Sequence, residues 1–205
     1  MAVVMLPAQD KVLKAISDLR TGPVEYTEHS AAGPPAAQTT LPKETRPSFL
    51  DSLILPDSPG PTSKQFEVLS EEIKLWAMAM LSRLGFDGLL DRIQKDFESE
   101  PPYPSHPGIL CETWSVPTTQ DHPLARHEDN VNGHDQVTLV MYPLGNWEGG
   151  GIEITTQPGH YKKISSTDKN GWVVVAFGGD VEHLPTAPTR GVRKCVVFHV
   201  GKVWV

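Results

Sequence analysis

A chain of 205 residues with 39% apolar and 7% aromatic content is long enough to bury one sizeable core and is not the composition of a disordered protein. Its formal net charge of −7 provides no global basic field for phosphate backbones or anionic lipid, which disfavours nucleic acid and membrane as partners. Cys111 and Cys195, the two cysteines, are too few for a disulfide scaffold or a cysteine zinc site, and buried thiols in a reducing compartment are the simpler reading than one disulfide.

No apolar run approaches the roughly 20 residues that span a bilayer. The opening "MAVVMLPAQDKVLKA" becomes charged too soon for a signal peptide. The expected location is therefore cytoplasmic, with nuclear as the alternative, rather than secreted.

In chain order, Leu6, Val12, Leu13, Ile16 and Leu19 recur near helical spacing, which predicts a short N-terminal helix over 1–20. Residues 21–62 read as a Pro/Ala/Thr-rich linker or extended segment, too poor in apolar surface to fold alone. Inside it, "SFLDSLIL" (48–55) is an apolar island suited to docking on the domain or to a partner contact. A single domain over 63–205 follows. Its helical support, 64–98, holds one helix that starts at Ser70 and stops at Gly85, with the stripe Ile73, Trp76, Met80, Leu81 and Leu84. A second helix carries Leu89, Leu90, Ile93 and Phe97. From 108 to 205 the segments "ILCETWSV", "DQVTLVMYPL", "GGIEITT", "GWVVVAFG", "RKCVVFHV" and "KVWV" read as strands between Gly, Pro and Asn turns. The fold class is α+β: an antiparallel jelly roll with N-terminal supporting helices.

The candidate chemistry begins in "ARHEDN", where His127 and Asp129 stand two apart. In an extended segment, residues i and i+2 project to the same side, so both can reach one ion. His183 follows a strand and a Gly-rich turn, where a second imidazole could join them. Two imidazoles and one carboxylate on one face of a metal, with the other face open, are the donor set of non-haem Fe(II) oxygenases. The plainer reading of the pair is a loop imidazole beside a turn-capping Asp. Arg193, ahead of "CVVFHV", has the planar fork that grips a carboxylate in two hydrogen bonds, if the alternation turns it inward. Arg190 and Lys194 compete for that role. His122, His134 and His199 read as loop or surface groups.

"HED", the stretch "VTLVMYPLGNWEGGGIEI" and then "GDVEHLPTAPTRGVRKCVVFHV" together resemble the Fe(II)/2-oxoglutarate dioxygenases. They are closest to the prolyl-hydroxylase-like branch and the branch that oxidises thymine and 5-methylcytosine. The match covers about 109–200. The resemblance implies a double-stranded β-helix, Fe(II) ligands at His127, Asp129 and His183, and Arg193 on the far carboxylate of 2-oxoglutarate. Where the family often has a hydroxyl two residues after that Arg, this chain has Cys195, a poor donor, and Tyr142 is a phenol able to substitute or simply a core aromatic. Asn130, Asn132, Trp147 and Trp114 are candidate substrate contacts, against turn chemistry for the asparagines and packing for the tryptophans.

The function implied is oxidation of a C–H bond in a small organic molecule, an amino acid or natural-product intermediate. Fe(II) is the metal, 2-oxoglutarate and dioxygen are consumed, and succinate and carbon dioxide are produced. The alternatives are a nucleobase or protein-residue hydroxylase of the same superfamily, and a non-enzymatic jelly-roll binding module.

Overall fold

Residues 16–17, 19–27, 36–66, 68–99, 108–118, 125–129 and 135–201 are described by a computed structural model. Its strands are β1 (Glu25–Thr27), β2 (Ala36–Pro42), β3 (Thr62–Phe66), β4 (Gly108–Pro117), β5 (Gln136–Tyr142), β6 (Glu148–Gln157), β7 (His160–Ser165), β8 (Gly171–Gly178), β9 (His183–Arg190) and β10 (Val192–Gly201). Two α-helices, α1 (Glu71–Arg83) and α2 (Asp87–Ser99), precede β4. No described helix is long and apolar enough to cross a membrane.

The strands form two antiparallel sheets, a seven-stranded one ordered β1-β2-β8-β5-β10-β4-β3 and a three-stranded one ordered β7-β6-β9. From β4 onward the chain alternates between them. It leaves the large sheet after β4 and bridges to β9 at His127, then returns as β5. It crosses to the small sheet as β6 and β7, comes back as β8, crosses again as β9, and closes as β10 between β4 and β5. This winding is a jelly roll, and the His127 bridge stands where the small sheet would have a fourth strand.

Period-2 alternation divides the large sheet's side chains between two cores. Val137, Leu139, Met141, Val174, Ala176, Val196, Phe198 and Val200 pack on the helices with Trp76, Met80 and Leu81. Val140, Tyr142, Val173, Val175, Phe177 and Cys195 face the small sheet and meet Ile152, Ile154 and Ile164. The central strands β5 and β8 are buried on both faces, which is why they read as unbroken apolar runs. Helix α1 starts as expected: the Ile73 amide donates to the Ser70 hydroxyl at 3.4 Å. It ends at Gly85, whose φ of +87° suits glycine.

Several expectations change. Residues 64–66 are not helical but belong to β3, an edge strand paired with β4. The 21–62 stretch is not a bare connector. β2 pairs with β8, and a 3₁₀ turn over Ser48–Leu53 buries Leu50 and Leu53 in the helix-side core, so the apolar island docks on the domain. Its few apolar residues need only complete an existing core, not build one. β7 and the proline-bearing β9 were not expected as strands. β9 pairs with β6, and among the described residues its other neighbour is only the His127 bridge, so Pro185 and Pro188 break no ladder. The N-terminal helix before residue 16, the "KVWV" end and the Phe97 side chain lie outside the described residues.

Candidate metal centre

His127, Asp129 and His183 are brought together, with one donor atom from each within 4.8 Å of the others. The segment 125–129 is held to β9 by a reciprocal backbone pair: the His127 amide donates to His183 O at 2.9 Å, and the His183 amide to His127 O at 2.8 Å. The two imidazoles therefore start from facing backbone positions, and their ring centroids lie 4.3 Å apart. Arg126 fastens the same segment to the small sheet. It reaches Glu153 Oε2 at 3.1 Å and Thr155 Oγ1 at 3.2 Å, with its guanidinium 3.8 Å from the Tyr161 ring centroid.

Hydrogen bonds orient each donor. His127 Nδ1 lies 2.7 Å from Ala125 O, and His183 Nδ1 lies 3.0 Å from Val181 O. A carbonyl can only accept, so both Nδ1 atoms carry protons and the neutral rings present Nε2 lone pairs. Both Nε2 atoms face Asp129 Oδ1, at 3.5 Å from His127 and 3.8 Å from His183. The other carboxylate oxygen is already engaged: the Thr138 hydroxyl donates to Oδ2 at 2.5 Å, and His199 Nδ1 lies 3.6 Å from it. Gln136 Nε2 lies 3.1 Å and Thr138 Oγ1 3.2 Å from that His199 Nδ1.

Burial pushes the Asp129 carboxyl up. The His127 hydrogen bond, the His199 and His183 charges and the Thr138 hydroxyl outweigh it and hold it at about 2. Burial also lowers His183 from its ordinary value, against the pull of Asp129. His127 is raised, chiefly because its protonated ring can donate Nε2–H to Asp129, a bond the neutral ring lacks. The set near neutrality is one ionised carboxylate and a buried imidazole that resists protonation.

These groups line a cavity of about 260 Å³ between the sheets. Arg193 is on its wall, 2% exposed, as inward alternation along β10 requires. Its Nη1 donates to Gly151 O at 2.9 Å, and the guanidinium also hydrogen-bonds the Tyr142 phenol. Gly151 sits at φ +131°, and a Cβ there would lie 2.0 Å from Ile164 O, so the glycine run is what brings this carbonyl so close. Burial raises the Tyr142 phenol, with the Arg193 charge opposing, so Tyr142 is a neutral donor beside the guanidinium. The competitors point elsewhere: Arg190 pairs with Glu148 on the surface and Lys194 with Asp57.

Cys195 and Trp114 line the cavity. Trp147 does not; it is buried in the inter-sheet core and its indole donates to Ser166 Oγ at 2.8 Å, so it is a packing residue. Asn130, Asn132, His122 and His134 lie outside the described residues. The sequence reading of His199 as a surface group is corrected: it faces the cavity beside Asp129. Alternation supplies the missed signal, because an inward Arg193 carries 195, 197 and 199 inward with it. Thr138 pairs with His199 across the β5–β10 ladder and is on the same wall.

No family model matches the sequence, and no curated protein matches it. Among solved structures, the chain is similar to a prolyl-4-hydroxylase of Pseudomonas putida, with 17% identity over 76% of this chain and 80% of that one and a TM-score of 0.47. It is also similar to an oxidoreductase of the 2OG-Fe(II) oxygenase family from Burkholderia pseudomallei (12% identity, 94% and 78% covered, TM-score 0.41). A third is the Arabidopsis thaliana dioxygenase for auxin oxidation, solved with 2-oxoglutarate (15% identity, 98% and 80% covered, TM-score 0.39). With TM-scores below 0.5 these likenesses decide neither reaction nor substrate, and what the site can do rests on its own residues.

Proposed function

We propose that this protein is an Fe(II)- and 2-oxoglutarate-dependent oxygenase that hydroxylates a C–H bond of a small organic molecule. The observation that carries this reading is the pair of Nε2 atoms facing one oxygen of Asp129, in the cavity whose wall also holds the buried Arg193. The donor set fits Fe(II): two neutral imidazoles and one monodentate carboxylate leave coordination positions open, unlike a closed structural zinc site. His127, Asp129 and His183 would hold the metal. Arg193 would hold the far carboxylate of 2-oxoglutarate with two donors, and Tyr142 would keep the guanidinium in place and add a phenolic donor.

Bound Fe(II) supplies the redox chemistry, in which dioxygen and 2-oxoglutarate give succinate and carbon dioxide while one substrate C–H becomes C–OH. The protein's share is orientation. Ala125 O and Val181 O fix the rings, Thr138 reserves Oδ2, and Val140, Ile152 and Val197 give the cavity its apolar lining. The cavity's size and its place between the two sheets favour a small molecule as substrate.

The test is an anaerobic Fe(II) titration with 2-oxoglutarate, read by the weak visible charge-transfer band of the chelate. Wild type should develop the band and His183→Ala should not. A correctly folded wild type that develops none would overturn the reading.

A further inference from the structure

Once the three ligands, Thr138 with His199, and Arg193 with Tyr142 are assigned, the rest of the polar cavity wall among the described residues is chiefly β4. Its inward positions are Glu112, Trp114 and Val116, with Val197 of β10 directly opposite Glu112. The Glu112 carboxylate is held at both oxygens by neutral donors. Gln65 of β3 donates Nε2–H at 2.6 Å to Oε1, and the Trp114 indole donates at 3.4 Å to Oε2. Among the described residues no cation pairs with it. The nearby lysines are turned away: Lys194 is paired with Asp57, and Lys64 lies over the Phe66 ring on the other face of β3 from Gln65. The wall is thus a positioned carboxylate beside an indole, flanked by two valines.

We propose that this wall recognises a substrate carrying an ammonium group, with Glu112 accepting its N–H donors, Trp114 offering a ring face, and Val116 and Val197 contacting the apolar body. The inference rests on the oxygenase reading for what is done to the substrate. A carboxylate and an aromatic ring side by side form a site for a cation, since each favours positive charge and neither requires the other to move. The charge balance agrees. With the imidazoles neutral, Fe(II), Asp129, 2-oxoglutarate and Arg193 neutralise one another in the loaded site, so among the described residues Glu112 is left as the one uncompensated negative charge of the cavity. An ammonium group completes the balance, a neutral group does not, and a carboxylate would meet repulsion. Gln65 and the indole N–H hold the carboxylate in place without cancelling its charge, which is preorganisation for a cationic ligand.

The experiment is calorimetric titration of the full-length protein with three probes of one shape: phenethylamine, phenethyl alcohol and hydrocinnamate. It is run on metal-free protein and on protein loaded anaerobically with Fe(II) and 2-oxoglutarate. The amine should bind at least about tenfold more tightly than the alcohol, as expected for a hydrogen bond to a charged group, and the acid most weakly. Glu112→Gln, which keeps the shape of the wall, should erase the preference, and Glu112→Lys should reverse it toward hydrocinnamate. Equal affinity for the three probes, including none for any of them, would overturn the inference, as would an amine preference that survives both substitutions. The charge-transfer band of the loaded sample separates the two ideas. A band without amine preference removes this inference and leaves the oxygenase reading; amine preference without a band does the reverse.

Discussion

The two oxygens of Asp129 have different surroundings. Oδ1 faces the two Nε2 atoms, while Oδ2 takes the Thr138 hydroxyl and lies near His199. Without Thr138 the carboxylate could rotate and offer either oxygen, and its lone pairs would lose a donor inside a buried site. Thr138→Val keeps the β-branched shape on β5 and removes only the hydroxyl. Its expected effect is a roughly 10–100-fold loss of metal affinity, the size usual for a residue supporting a metal ligand. It should also cost about 1.5–3 kcal/mol of stability, as for a hydrogen bond to a charged group. Competition against a chromophoric chelator for Fe(II) or Co(II), with urea unfolding alongside, measures both. An unchanged metal affinity would show that Thr138 does not support the ligand.

At the level of elements, the ligand-bearing segment 125–129 is not a strand of its own. One backbone bridge and the Arg126 side chain fasten it to β9 and the small sheet. Arg126→Ala removes a half-buried ion pair, a hydroxyl contact and a ring contact, leaving the bridge intact. The global midpoint should move little, since such a pair contributes about 0.5–1 kcal/mol. The His127 amide should exchange with solvent several-fold faster than core amides of β5, because the segment opens locally rather than with the fold. Unchanged exchange at His127 would show that the bridge alone holds the segment.

The same elements explain what was legible. The H-x-D spacing and the strand runs of β4, β5, β8 and β10 are visible because alternation and β-branching are local properties. His199 was legible only through Arg193, since a lone imidazole carries no direction until its strand's inward face is fixed. β2 and the Leu50–Leu53 turn were hidden because their stability comes from partners far along the chain, β8 and the helix-side core. Proline content obscured β9, whose unladdered edge tolerates it. Glu112 gave no signal, because a glutamate in a strand is ordinarily solvated and only the closing of two sheets makes it a cavity wall.

For the whole molecule, β4 and β10 carry one thiol each, on opposite faces of the large sheet. Cys111 lies in the helix-side core and Cys195 in the inter-sheet core, both free and buried. Burial, aided by the adjacent Glu112 charge, pushes the Cys111 thiol up from its ordinary value to about 12. Burial raises Cys195 as well, with the Arg193 charge opposing. In the unfolded chain both thiols ionise at their ordinary values, so above those values the unfolded state holds fewer protons than the folded one. Stability from the neutral buried thiols is therefore complete below the ordinary thiol pKa and is lost as pH rises toward the folded value. For Cys111 the loss runs from about 9 to about 12, at about 1.4 kcal/mol per pH unit. Urea unfolding under reducing conditions between about pH 8 and pH 11 should give a downward slope, and Cys111→Ala should make that slope shallower by about this amount. The same substitution costs some packing at neutral pH, so the slope and not the absolute stability is the readout. An identical slope in wild type and Cys111→Ala would show that the alkaline limit of this fold is set elsewhere than in the sheet's thiols.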